Sequence, residues 1–323
     1  METKLFFPYT WHEDEDEEHV TAIRIFGIDT ENKNVCVKVT DFTPYVYLEL
    51  PSDRKWNTTS ITRLGNYIDK LCGHDENGRC KRECNCSRPH KKSLSYKHKL
   101  YYANTVKKEN DNVRRKFPFL LLAFNKKSHA MQLSYKLKYP QTIPTLGRMT
   151  LKMHEQDAKS ILQFVCIQDI ETCGWTYIRG KRITSEKESL CDYEYNVKYK
   201  NFKKADKEDI PKPYVLSFDI EVNSTNPTRM PNAEIPGDKV FQISCVFSRQ
   251  GDTEDKYEKY LLTLGNPSQK ITGEDTTILT YKTESHLLSG FTEFIKEKNP
   301  NIITGYNILG FDIPYMIERA KVT

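Results

Sequence analysis

Two acidic residues close an apolar run in YVLSFDIEVN (residues 214–223), and a third opens FDIPYMIERA (residues 311–320). Tyr214 to Ile220 are mostly aromatic or branched and read as a central strand, on which Asp219 and Glu221 point to the same side. Like charges at that separation repel. The pair therefore either has a solvated edge or a basic partner, or brackets a divalent cation that carboxylate oxygens suit as ligands. Asp312 follows the turn GYNILGF and stands in a first helical turn, where a lone carboxylate is favoured by the helix dipole and is unremarkable. If the strand NIIT lies beside the first strand, Asp312 reaches the same pocket. Three such carboxylates suit one or two Mg²⁺ or Mn²⁺ ions, which generate a hydroxide and clamp the leaving oxygen of a phosphodiester.

The elements that must position these residues are readable from period and punctuation. After the strand come the loop NSTNPTRMPNAEIPGD, the strand KVFQISCVFS, a charged turn and the strand YLLTLG. Leu287, Leu288, Phe291, Phe294 and Ile295 share one face of a helix that stops at Pro300, and Pro314 falls in the first turn of the next, where its missing N–H costs nothing. Three strands, a helix, a strand and a helix describe an α/β nuclease-like sheet over residues 209–323. Upstream, DIPKP imposes an extended approach, and a charged connector from residue 192 places a domain boundary near residue 208. Residues 1–208 read as α+β with an antiparallel sheet: VTAIRIFGID and NVCVKVTDF form a hairpin with one buried face, YVYLEL follows as a third strand, and SITRLGNYIDKL is helical. FPFLLLAF is a strand, the Lys/Ser segment after it an amphipathic helix, SILQFVCIQDI of β and mixed character, and GWTYIRG an edge or hairpin strand. Residues 72–116 are polar, basic and poor in core formers, and read as an insertion or exposed lobe.

With 323 residues, 37% hydrophobic and 29% charged, the chain suffices for one large or two medium domains. A net charge of +5 permits a nucleic-acid partner without arguing for one. No segment approaches a membrane-spanning run of uncharged residues, so a soluble intracellular or intravirion location, away from membranes, is expected. Nine cysteines do not make a secreted disulfide scaffold, and Cys36, Cys166, Cys173, Cys191 and Cys245 read as reduced.

SFDIE followed by MPNAEIPGDKVFQIS, and later NPNIITGYNILGFDIPYMIERA, closely resemble the first and second exonuclease motifs of family B DNA polymerases. IRIFGID, FTPYVYLELP and GWTYIRG resemble stretches of their N-terminal domain, especially in enzymes of large double-stranded DNA viruses and in eukaryotic delta-type enzymes. The resemblance covers nearly the whole chain, least in its Cys-rich segment. It implies an N-terminal domain followed by the first part of a ribonuclease H-like 3′→5′ proofreading exonuclease domain, with Asp219, Glu221 and Asp312 as catalytic metal ligands. Asn307 and Phe311 match positions lining the path of an unpaired 3′ end; on residue type alone they are equally a turn-forming Asn and a core Phe. Asn301 stands where many relatives carry an acidic residue. The third exonuclease motif and the polymerase aspartates would lie beyond Thr323, so the chain is expected to be a fragment, a split-gene product or a truncated relative. The implied setting is DNA replication, in the nucleus or at a viral replication site in host cytoplasm, with the remainder of the polymerase as partner if the gene is split. The alternative is a non-catalytic single-strand-binding or polymerase-assembly module.

Basic residues gather at Lys81, Arg82, Arg88, Lys91 and Lys92 and again at Arg114, Arg115 and Lys116, with Tyr96, Tyr101 and Tyr102 between them. That interleaving suits template-strand phosphates and stacked bases, or simply a solvated face. Cys72, Cys80, Cys84 and Cys86, near His74 and His90, either hold one Zn²⁺ or belong to a solvated loop; their spacing matches no common pattern. On the zinc reading, protein purified without chelator carries close to one zinc per chain by elemental analysis, and replacing Cys84 loosens this lobe while leaving the exonuclease motifs intact. Well-folded protein without zinc decides for the loop.

Overall fold

A computed structural model of the chain describes residues 1–15, 21–74, 87–98, 116–267 and 275–323. They divide into two units, Met1–Phe26 with Val35–Lys207 and Gly27–Asn34 with Glu208–Thr323. Among the described residues no helix is long and apolar enough to cross a membrane.

The elements of the first part are β1 (Glu2–Glu15), β2 (Thr21–Asp29), β3 (Asn34–Val39), β4 (Tyr45–Glu49), α1 (Thr58–Leu71), β5 (Lys91–His98), β6 (Lys116–Ala123), α2 (Lys127–Lys136), β7 (Gln141–Ile143), β8 (Gly147–Met149), β9 (Lys152–His154), α3 (Ser160–Gln168), β10 (Thr176–Ile183) and β11 (Tyr193–Lys204). Strands β1, β10, β11, β3 and β2 close into a barrel around Ile23, Ile25, Val35, Val37, Phe164 and Phe202. A separate sheet of order β5-β6-β4-β9, with α1 and α2 packed on it, buries Val46, Leu48, Leu64, Leu120 and Leu122.

Several sequence expectations change here. The opening strands do not make one antiparallel sheet: β4 leaves for the second sheet, and β3 pairs in parallel with β11, which lies inside the stretch read as a connector. GWTYIRG enters β10, which pairs antiparallel with the next strand β11 as a hairpin strand but is no edge, being flanked on both sides in the barrel, and β3 is buried on both faces, Cys36 included. Residues 160–168 are a helix whose Phe164, Ile161 and Val165 pack into the barrel core, and the Glu13 carboxylate accepts from the Ser160 N–H (3.1 Å) and hydroxyl (2.6 Å) at its start, contacts from a distant strand that local pattern cannot show. Within the expected insertion, Lys91–His98 is a regular strand in register with β6 at eight positions.

The second unit holds β12 (Tyr214–Val222), β13 (Val240–Arg249), β14 (Glu258–Leu264), β15 (Thr276–Tyr281), α4 (Glu284–Lys298), β16 (Ile302–Thr304) and α5 (Asp312–Val322) in a sheet of order β15-β14-β13-β12-β16. Strand β15, absent from the sequence reading, pairs in parallel with β14. Along β12, Leu216, Phe218 and Ile220 are buried while Ser217, Asp219 and Glu221 are exposed, the alternation of a half-buried strand. The buried set packs with Leu287, Leu288, Phe291 and Phe294 of α4. At the start of β12, Asn301 uses its whole amide: Oδ1 accepts from the Tyr214 N–H (2.7 Å), and Nδ2 donates to Asn32 O (3.0 Å) and Asn34 Oδ1 (2.8 Å).

Candidate active site

Strand β16 pairs with β12 only as far as Thr304 opposite Ser217. Beyond it the chain still hugs the strand: a Cβ on Gly305 would sit 2.4 Å from the Phe218 carbonyl oxygen and 2.3 Å from Ile308 Cγ2, so only glycine fits. The next free strand amide, the Ile220 N–H, then donates to Asp312 Oδ1 at 3.1 Å. Asp312 is 3% exposed and stands in the first turn of α5, on the side the helix dipole favours. The third carboxylate is thereby fixed to the backbone between the two exposed ones.

The three side chains are not drawn into a finished cage. Among the described residues, no three His, Cys, Asp or Glu side chains stand close enough together to hold a metal ion. What the backbone arranges is an open set of carboxylates: two solvated on one strand face, one buried and anchored beside them. On the same face Ser244 lies opposite Asp219, and its hydroxyl reaches Asp219 O at 3.4 Å.

Asn307 has φ 52°, the left-handed region that asparagine tolerates, and its carbonyl accepts from the Gly310 (2.9 Å) and Phe311 (3.0 Å) N–H groups. Its turn-forming role is thus visible, and its side chain is exposed. Phe311 is half-buried, with its ring 5.4 Å from that of Tyr315 at the edge of the core. Two residues of this loop escaped sequence reasoning: Tyr306 is 92% exposed and Leu309 80% exposed. Their signal was apolar residues three apart in a turn without helical continuation.

Residues 223–239, directly after β12, form a pinned loop. Asp238, fully buried, accepts from the Thr225 N–H (2.8 Å) and hydroxyl (2.7 Å) and from the Asn232 N–H (2.9 Å). The Asn232 amide, then the Thr225 hydroxyl and amide, hold its carboxyl down at about 2. Tyr315 donates to Asp238 O (2.8 Å), and Arg319 Nη1 donates to the carbonyls of Ala233 (2.8 Å) and Ile235 (2.9 Å). Neither Asp238 nor Arg319 was singled out from sequence, because burial of a charge has no local signature.

Of the other expected site residues, Lys116 is exposed at the start of β6, Cys72 is buried against α1 with its thiol pushed up by burial to about 11, and Lys92 pairs with Asp69. Arg114, Arg115, Cys80, Cys84 and Cys86 lie outside the described residues.

Residues 151–323 match the model of the DNA polymerase family B exonuclease domain. The chain belongs to DNA polymerase family B. It is 39% identical to DNA polymerase 120R of Invertebrate iridescent virus 3 over 98% of its own length and 27% of that protein, and 26% identical to the DNA polymerase delta catalytic subunit of Plasmodium falciparum over 98% and 28%. In fold it is similar to the family B DNA polymerase of the archaeon Pyrobaculum calidifontis, with a TM-score of 0.63 at 19% identity, covering 98% of this chain and 32% of that one. It spans about a quarter of the length of the family B relatives named first.

Two outcomes follow from the site's geometry. Asp312→Ala leaves the Ile220 N–H buried and unpaired and lowers the stability of the second unit by about 1–3 kcal/mol, whereas Asp219→Ala and Glu221→Ala, at exposed positions, change it by less than about 0.5 kcal/mol in urea unfolding. The Asp238 carboxyl titrates lower folded than unfolded, so its stabilisation is complete above its unfolded value near 4 and is lost as pH falls through about 2. Melting curves between pH 6 and pH 2.5 should show that part of the acid loss in the natural protein and not in Asp238→Asn.

Proposed function

We propose that the second unit contributes the carboxylates of a metal-dependent 3′→5′ exonuclease site that removes nucleotides from the end of a single DNA strand, the proofreading function of a replicative polymerase. The observation that carries this reading is the Asp312–Ile220 hydrogen bond, which ties a buried carboxylate to the backbone of the residue that separates Asp219 from Glu221. The order of the second sheet is the reason to read the unit as ribonuclease H-like.

The donor set is entirely carboxylate oxygen, which fits a hard cation such as Mg²⁺ or Mn²⁺, and Asp219, Glu221 and Asp312 are the residues that would hold it. Bound there, such an ion supplies a water of lowered pKa and neutralises charge on the scissile phosphate. The chain's own part is to place these groups. Asp219 and Glu221 face solvent, where a strand end arrives, and Asp312 keeps one oxygen on the strand backbone. Asn307, Tyr306, Leu309 and the edge of Phe311 offer an amide and apolar surface to an unpaired 3′ nucleotide. Lys116, with Arg114 and Arg115, is assigned to template-strand phosphates; Zn²⁺ at Cys72, Cys80, Cys84 and Cys86 stays a separate proposal. The natural setting is DNA replication in the nucleus or at a viral replication site in host cytoplasm, with the rest of a polymerase as partner. A single-strand-binding or assembly module is the rival.

Calorimetric titration with Mn²⁺ separates the two. Weak binding is expected in the natural chain and its loss in Asp219→Ala; equal heats in both proteins overturn the assignment.

A further inference from the structure

Between Glu221 and Val222 the register of β12 on β13 shifts: Glu221 lies opposite Gln242 and Val222 opposite Val240, leaving Phe241 as the extra residue of a bulge. A bulge re-aims the side chains beside it, and the one beside it here is a candidate metal ligand. The far side of that bulge is held by Glu284, the first residue of α4, whose Oε1 accepts from the Val240 N–H at 2.9 Å. Glu284 is itself 5% exposed and paired with Arg319, which is 2% exposed: Arg319 Nε reaches Oε1 at 2.8 Å and Nη2 bonds Oε2. The remaining guanidinium nitrogen, Nη1, carries Ala233 O and Ile235 O of the loop that joins β12 to β13. A two-sided guanidinium fork thus fixes both the carboxylate behind the bulge and the loop around it.

We propose that Arg319, acting through Glu284, is a positioning residue for Glu221 in the metal site; this rests on the exonuclease reading. Arg319 lies on the same buried stripe of α5 as Asp312 and Tyr315, at intervals of three and four residues. The helix that carries one carboxylate to the strand therefore also sets the direction of another. Neither Arg319 nor Glu284 needs to touch cation or DNA for this, and lysine in place of Arg319 keeps the charge while losing the fork.

The test compares the natural chain with Arg319→Lys and Glu284→Gln, measuring Mn²⁺ affinity, amide exchange at Val240 and the melting temperature on the same samples. Expected is an Mn²⁺ affinity about 10-fold weaker, the scale of outer-shell losses, together with faster Val240 exchange in protein that still melts cooperatively. Unchanged Mn²⁺ affinity in a folded variant overturns the proposal, and so does unchanged Val240 exchange. If Arg319→Lys does not fold, Glu284→Gln, which keeps the side chain's shape but loses the charge that holds the Arg319 fork and so loosens the acceptor behind Val240, decides by the same two readouts. A natural chain whose Mn²⁺ heats equal those of Asp219→Ala fails differently: it removes the metal site itself and the proposal with it.

Discussion

A strand that outlasts its neighbour leaves amides without acceptors, and in the second unit β12 runs five residues past the point where β16 stops pairing with it. A buried amide left unpaired and a buried carboxylate left unpaired each carry a desolvation cost of a few kcal/mol. Ile220 and Asp312 relieve one another, and that single bond decides where α5 begins relative to the sheet. Gly305 makes it reachable by letting the backbone pass against Phe218. Once the first turn of α5 is fixed there, its buried stripe brings Tyr315 and Arg319 onto the loop and bulge at the end of the same strand.

The division of labour among charges follows from solvation. Asp219 and Glu221 share a strand face and would repel strongly if dry, so they tolerate proximity because both are open to water. Of the dry charges around the site, Asp238, Glu284 and Arg319 each carry several hydrogen bonds, while Asp312 is held by the Ile220 N–H. Rigidity is thus placed beneath the site and freedom at its surface.

What the sequence made legible was what rests on local period. YVLSFDIEV alternates, the α4 face repeats at helical spacing, and Pro314 marks a helix start, so β12, α4, β16 and α5 are readable in order. Strand β15 was not, since TTILTY has no fully buried residue and gains its identity from parallel pairing with β14. Residues 160–168 carry β-prone Ile, Phe and Val, and are helical where Phe164, Ile161 and Val165 pack into the barrel core and Glu13 binds the helix start from across the fold. Of the candidate site, the shared strand face of Asp219 and Glu221 and the helix-start position of Asp312 were legible; the burial of Asp312 and the bonds of Glu284 and Arg319 were not, because each depends on a partner dozens of residues away.

Asn301 has one more consequence. Its amide donates to Asn32 O and Asn34 Oδ1 while accepting from Tyr214, and Asn34 in turn donates to Asn299 Oδ1 (3.0 Å) and Pro300 O (3.3 Å). Eight residues from near the start of the chain are therefore an integral piece of a unit whose remainder begins at Glu208. The unit cannot be excised with one cut. A protein trimmed to start at residue 208 would keep the carboxylates, the strand and both helices, and yet would remove Asn32 and Asn34, the two acceptors of the Asn301 amide, at the start of β12.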